Sequence, residues 1–265
     1  MRKLQRWVTT HQTFLLTGIF LFFLAIAICF SGVLPLPVLP TILIVPPLVI
    51  LVILISAAPI SVMKEPAQAL QSGCDPYPLL QETEALLSYK LSRQIRPIML
   101  INYSTGLRNA GQYQAALDTM LSIKIDKRNS LSPVNMILYY LNLTDICTQM
   151  QRYDDAAVWY ERLMKTYNDL PENNVKKQMA SLLLPAQAEQ HLQSGQPSLA
   201  LAVLESYRPT CLSMEVDVAR IYAKAYLALG KPEFAREHLQ FIIKNENKLY
   251  AVTEAKDWLA QLDAE

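Results

Sequence analysis

Up to about residue 63 the apolar positions run together; beyond it they recur at helical spacing. Thr13 to Leu34 reads TFLLTGIFLFFLAIAICFSGVL, about 22 residues without a charge. That is long enough to cross about 30 Å of hydrocarbon as a helix. Pro35 to Pro40 (PLPVLP) forms a turn, because proline blocks helical hydrogen bonding. Thr41 to Met63 is apolar again, with Pro46-Pro47 near its start and Pro59 near its end. A helix can begin at Pro46 or Pro47, since a first-turn proline loses no needed donor. The pattern predicts a transmembrane hairpin with spans at about 13–34 and 41–63. The second span is short, so a re-entrant or interfacial segment is the alternative. A cleaved signal peptide fits less well, because the first stretch is too long and a second follows at once.

From about Pro66 onward the text is that of amphipathic helices, and one phrase keeps returning. SGCDPYPLL at Ser72, NAGQYQAAL at Asn109, MQRYDDAAV at Met150, SGQPSLAL at Ser194 and LGKPEFAREHL at Leu229 each end one helical pattern and begin another. From Cys74 to Gly111, Gln151, Gly195 and Gly230 the steps are roughly 37, 40, 44 and 35 residues. A period in this range marks stacked helix pairs. The expected fold is therefore all-α: a short basic N-terminus (1–12), a transmembrane hairpin (13–63), and a helical repeat domain (66–265). Hairpins are expected at about 98–124, 134–168, 175–206 and 214–245, with a polar-faced capping helix at 250–262. Before them, Tyr77 to Leu91 is the second helix of an incomplete first unit, capped by Asp75. Cys74 lies at its turn and is expected to be structural. It stands too far past the apolar run, with Gln71 three residues before it, for lipid attachment.

These details resemble the tetratricopeptide repeat family, over roughly three quarters of the chain. The resemblance implies two antiparallel helices per unit, with small residues where they cross. Ser104, Thr144, Ala188 and Ala223 stand at that place on the first helices, and Ala116, Ala156, Ala200 and Ala235 on the second. Gly111, Gly195 and Gly230 suit a left-handed residue ending the first helix, and Pro197 and Pro232 suit the next first turn. The units are degenerate: Gln151 replaces a glycine and Pro185 interrupts a first helix. The resemblance also implies a concave groove lined by first-helix side chains. By register these are Ile101, Thr105, Arg108, Leu141, Asp145, Glu189, Asp217, Arg220 and Lys224. Arg220 and Lys224 lie one turn apart and can meet one anion together. The competing reading is a solvated face with ordinary ion pairs, such as Asp217 with Arg220. The family's basic clamp for C-terminal carboxylates is missing.

Charge and chemistry narrow the picture further. No Lys, Arg, Asp or Glu falls between Arg6 and Lys64. Arg2, Lys3 and Arg6 flank one end of the hairpin and Lys64 the other, so the Lys/Arg bias puts both ends and the repeat domain in the cytoplasm. The net charge of +1 hides a split; without the three N-terminal basic residues the chain has 21 basic against 23 acidic. No basic face of nucleic-acid type is evident. Cys29, Cys74, Cys147 and Cys211 and the three histidines show no metal or disulfide spacing. No phosphate loop or nucleophile motif is present. Asp154-Asp155 suits a helix N-terminus, and Tyr139, Tyr140, Trp159 and Tyr160 suit a core. Sequons at Asn102 and Asn142 fall in helical text.

The expectation is a membrane-anchored adaptor, not an enzyme, without cofactor or metal. It would bind a protein or peptide partner at the cytoplasmic face of a bilayer, with a bacterial plasma membrane the expected setting. The alternative is an accessory subunit of a transport, secretion or envelope-assembly complex, held mainly through its hairpin. The absence of ionisable residues in the apolar run favours anchoring.

Overall fold

The computed structural model describes residues 7–9, 11–12, 14–22, 50–52, 61–125, 131–245 and 248–264. Every regular element among them is helical. Helical residues 61–73 lead into α1 (Tyr77–Leu87), α2 (Ile95–Asn109), α3 (Tyr113–Leu121), α4 (Pro133–Gln149) and α5 (Tyr153–Asn168). Then come α6 (Asn174–Gln193), α7 (Pro197–Glu205), α8 (Leu212–Ala228), α9 (Pro232–Lys244) and α10 (Tyr250–Ala264). The two apolar segments expected to form a membrane hairpin lie largely outside the described residues. Among the described residues no helix is long and apolar enough to cross a membrane. Residues 61–73 form one helix through Lys64, and its Val62 and Met63 are buried in the same cluster as Leu79, Leu86 and Met99.

The turns carry the repeat. Among the described residues Cys74, Gly111, Gln151, Gly195 and Gly230 adopt positive φ. They are the five positions at which the returning phrase aligns. Each sits between two helices of a pair, where a left-handed residue lets the chain reverse and still bond the last carbonyls. Gln112 N–H reaches the Leu107 carbonyl at 2.9 Å, Arg152 that of Cys147 at 2.8 Å, Gln196 that of His191 at 2.8 Å and Lys231 that of Tyr226 at 2.9 Å. Pro197 and Pro232 open α7 and α9, where no donor is lost. Ser132 and Asn173 cap α4 and α6 by accepting from Asn135 and Lys176 N–H groups.

Two local expectations are corrected. Pro185 does not interrupt its helix, since α6 runs through it. The carbonyl that loses its partner belongs to Ser181, an exposed residue, so solvent can reach it. The first-unit helix stops at Leu87 rather than Leu91. Ser88 donates its hydroxyl to the Ala85 carbonyl at 2.7 Å, and the chain turns so that Leu91 points into the core. Asp75 accepts from Tyr77 N–H at 3.1 Å, although Pro76 holds the cap position.

Within each pair the two helices pack on each other, and the first helices also stack in order, α2 on α4, α4 on α6, α6 on α8 and α8 on α10. The small crossing residues make this possible. Ser104, Ala116, Ala156, Ala188, Ala200, Ala223 and Ala235 are fully buried and Thr144 almost so. Ser104 also donates its hydroxyl across the pair to the Ala116 carbonyl at 2.9 Å, so its polar atom is satisfied without water.

The array curves until its ends meet. One core cluster joins Leu70, Cys74, Leu79 and Met99 to Val216, Ala223, Leu239, Leu249 and Ala255. Lys248 N–H donates to the Cys74 carbonyl at 3.1 Å, and its ammonium pairs with Asp75 at 2.6 Å. Tyr250 of α10 lies against Gly111 and edge-on to Tyr113.

These turns make a graded prediction. Gln151, exposed and held at φ 57°, carries strain that glycine lacks. Gln151→Gly is expected to raise stability by about 0.5–1 kcal/mol. Gly195→Ala faces open space and incurs only the left-handed cost of about 1–2 kcal/mol. A methyl at Gly111 would overlap the Tyr250 ring, adding about 1–3 kcal/mol. Urea unfolding of the three variants should give that order. Equal losses for both glycine variants would mean that the ends do not meet.

Candidate functional site

The curvature encloses a cavity of ≈ 360 Å³ on the inner side of the first helices. Ile101, Thr105 and Arg108 reach it from α2, Leu141 and Asp145 from α4, and Asp217 from α8. Six of the nine side chains expected on the concave face therefore share one space. The rest of its wall mixes apolar side chains, Leu138, Leu182, Pro185 and Met214 among them, with the polar Asn102, Asn109, Asn142 and Ser213, and residues 70–71 close one side.

The polar side chains pair with one another within the chain. Arg108 Nη1 donates to Asp145 Oδ2 at 2.6 Å, while its Nη2 stands 3.7 Å from Asp217. Thr105 donates its hydroxyl to Asn142 Oδ1 at 3.1 Å. The remaining three expected residues lie beyond the cavity. Lys224 pairs with Glu189 at 2.8 Å, tying α8 to α6. Arg220, with a side chain 11% exposed, donates Nη1 to Gln149 at 2.8 Å and to Glu254 at 3.2 Å, and its Nη2 lies 3.9 Å from Asp217. Arg220 and Lys224 thus each answer carboxylates of the chain itself. Burial opposes the Arg220 charge, but Asp217 and Glu254 outweigh it and hold the guanidinium protonated. Its Nε is buried without a hydrogen-bond partner.

Asp145 holds its proton more tightly than an ordinary aspartate. Burial pushes it up to about 6, Arg108 acts against that, and the nearby Asp217 and Glu189 carboxylates add to it. The folded chain then binds this proton more tightly than the unfolded chain, where aspartate titrates near about 3.9. The site's stabilisation is complete below about pH 4 and is lost as pH rises through about 6. His238, whose pKa burial lowers, works in the opposite sense, losing stabilisation as the solution is acidified. The clean measurement is therefore a difference. Relative to Asp145→Asn, the unaltered chain should gain midpoint temperature between pH 7 and pH 5. Parallel curves would mean that Asp145 titrates as an ordinary carboxylate.

Other singled-out residues serve the fold. Asp154 and Asp155 lie in the first turn of α5, and Asp155 pairs with Arg152 at 2.6 Å. Tyr139 is buried, and Tyr140 stacks on Trp159. Cys74 is buried, which pushes its thiol up to about 11 and keeps it unreactive. Among the described residues no group of three or more His, Cys, Asp or Glu side chains is set to hold a metal ion.

Four polar participants carried no advance signal. Gln149 and Asn142 read as ordinary helix residues, Asn142 being noticed only as a sequon. Glu254 belongs to the capping helix, and only closure of the array brings it to Arg220. Gln71 precedes the first turn, and no spacing places it near α4 or α6. A larger groove of ≈ 710 Å³ lies between residues 61–73 and α2, with Met63, Ala67, Ile98 and Met99 in its walls.

Fold and site together define an all-α protein of packed helical hairpins with an internal ionic network beside a concave cavity. No family model, curated protein or solved structure matches the chain.

Proposed function

We propose that the chain is a membrane-anchored adaptor whose helical pairs form a solenoid similar to the tetratricopeptide repeat, with the concave cavity as the seat for a protein partner. The observation that carries the reading is the cavity itself. Its volume is at the small end of the range for ligand sites, and polar side chains converge there among apolar ones. Side chains from α2, α4 and α8 meet there although their sequence positions are far apart. Anchoring rests on the charge-free run between Arg6 and Lys64 and on the basic residues that flank it. The segment leading from that run into residues 61–73 is short, which holds the array close to the bilayer.

The test is fractionation and co-purification of the full chain. The chain should stay with membranes after alkaline carbonate washing and should bring a defined partner with it in mild detergent. Ser213→Trp, which fills the cavity wall without changing charge, should lose the partner and keep the membrane. If the partner persists in Ser213→Trp and disappears when residues 13–63 are exchanged for an unrelated anchor, the hairpin carries the association. The chain is then an accessory subunit of a membrane complex. Release by carbonate would remove the anchor from the account.

A further inference from the structure

The cavity has unequal charge chemistry. Two carboxylates, Asp145 and Asp217, and one guanidinium, Arg108, line it, and a second guanidinium, Arg220, stands outside it 3.9 Å from Asp217. Arg108 is committed, since its Nη1 donates to Asp145 at 2.6 Å. Asp217 is not. Its two ion-pair contacts are 3.7 Å to Arg108 and 3.9 Å to Arg220, both longer than a hydrogen bond. Among the described residues it accepts no hydrogen bond, and its side chain stays 34% exposed. Arg220 cannot come closer without giving up Gln149 and Glu254, which hold its Nη1. A carboxylate with free acceptor capacity therefore stands at the wall of a cavity that Met214, Leu141, Leu182 and Ile101 also line, together with polar residues such as Asn142 and Ser213.

Resting on the proposal that the cavity seats a protein partner, we propose that the partner presents a short apolar segment bearing one basic side chain, whose cation pairs with Asp217. An acidic segment is disfavoured, because it would meet two carboxylates and a guanidinium already in use. A neutral apolar segment would fill the walls but leave Asp217 without a hydrogen-bonded partner behind a dry ligand, which is costly. An ammonium suits the space better than a guanidinium, since it is a compact charge that can sit beside Arg108. The chemistry is the reverse of a clamp for carboxylate termini.

The probe set is three fluorescein-labelled pentapeptides, Ala-Leu-Xaa-Leu-Ala, with lysine, norleucine or glutamate at the centre. Binding to the full chain in phosphatidylcholine nanodiscs, a net-neutral lipid, is read by fluorescence polarisation against empty nanodiscs. The lysine peptide should bind about tenfold or more tightly than the norleucine peptide, with glutamate weakest. Asp217→Asn should erase the lysine advantage and leave norleucine binding in place, which also shows that the variant is folded. Ser213→Trp, with charge unchanged, should weaken all three. Equal binding of lysine and norleucine peptides would overturn the cation preference while the seat for a partner survives. A lysine advantage that persists in Asp217→Asn would overturn the role of that carboxylate. No binding of any peptide would remove both proposals together.

Discussion

Arg220→Met is expected to lower the stability of the full chain by about 3 kcal/mol. Removing one partner of a buried ion pair typically costs about 3–5 kcal/mol, because the other charge is left without compensation. The low end applies, since Glu254 and Asp217 keep some water contact, at 19% and 34% side-chain exposure. Three helices lose a common tie: Arg220 on α8 reaches Gln149 at the end of α4 and Glu254 on α10. For a body of this size the loss corresponds to a fall of about 6–12 °C in Tm. The double variant Arg220→Met/Glu254→Met should recover much of it, because a well-packed apolar pair avoids the desolvation that the ions incur. Thermal unfolding by circular dichroism in mild detergent measures both. A double variant as unstable as the single one would mean that Arg220 acts through packing of its stem, not through its charge.

Ala188→Leu should be comparably damaging. Ala188 is fully buried on α6, in a cluster with Ala200, Leu204 and Ile221, where α6 and α7 cross and α8 approaches. Three added carbons find no space there, and overpacking typically costs about 1–3 kcal/mol, occasionally more. The upper end is expected because Ala188 is enclosed from both its own pair and the next. The matched control is Ala260→Leu, exposed on α10, which should change stability by less than about 0.5 kcal/mol. Denaturant midpoints distinguish the two outcomes. A mild effect at Ala188 would mean that the small residues tolerate looser pairing than the fully buried crossings imply.

Much of the helical layout was legible because it rests on local chemistry. Glycine before a polar residue, followed by alanine five residues on, marks a turn and a crossing. That pattern locates Gly111, Gly195 and Gly230, and its period extends to Cys74 and Gln151, which share the left-handed backbone without being glycine. The concave residues of α2 and α4 were legible for a related reason: a helix face is fixed by register once its ends are known. Closure of the array was not legible. It depends on Lys248 meeting Asp75 across 173 residues and on Tyr250 lying against Gly111. No local spacing encodes such meetings. The same holds for Arg220, which reads as a groove cation by register but is claimed by Glu254 once the ends meet. Gly106 was also overlooked as a close-contact position. Leu80 of α1 lies directly over it, a contact between units and not within a pair.

The helix at residues 61–73 shows why the boundary between the charge-free run and the body resists a reading by hydropathy. Val62 and Met63 are as apolar as the residues before them, yet they are buried with the helices of the body. Hydropathy registers the transfer out of water and does not distinguish lipid from protein interior.

The most direct test places a photocrosslinking amino acid at Leu141, in the cavity wall, and separately at Val158, exposed on α5. The full chain is irradiated in intact cells before any solubilisation. The account predicts one discrete protein adduct from position 141 in the membrane fraction, lost when Ser213→Trp is added, and none from position 158. Adducts from position 158 alone, or from both positions alike and unaffected by Ser213→Trp, would contradict a partner seat on the concave side.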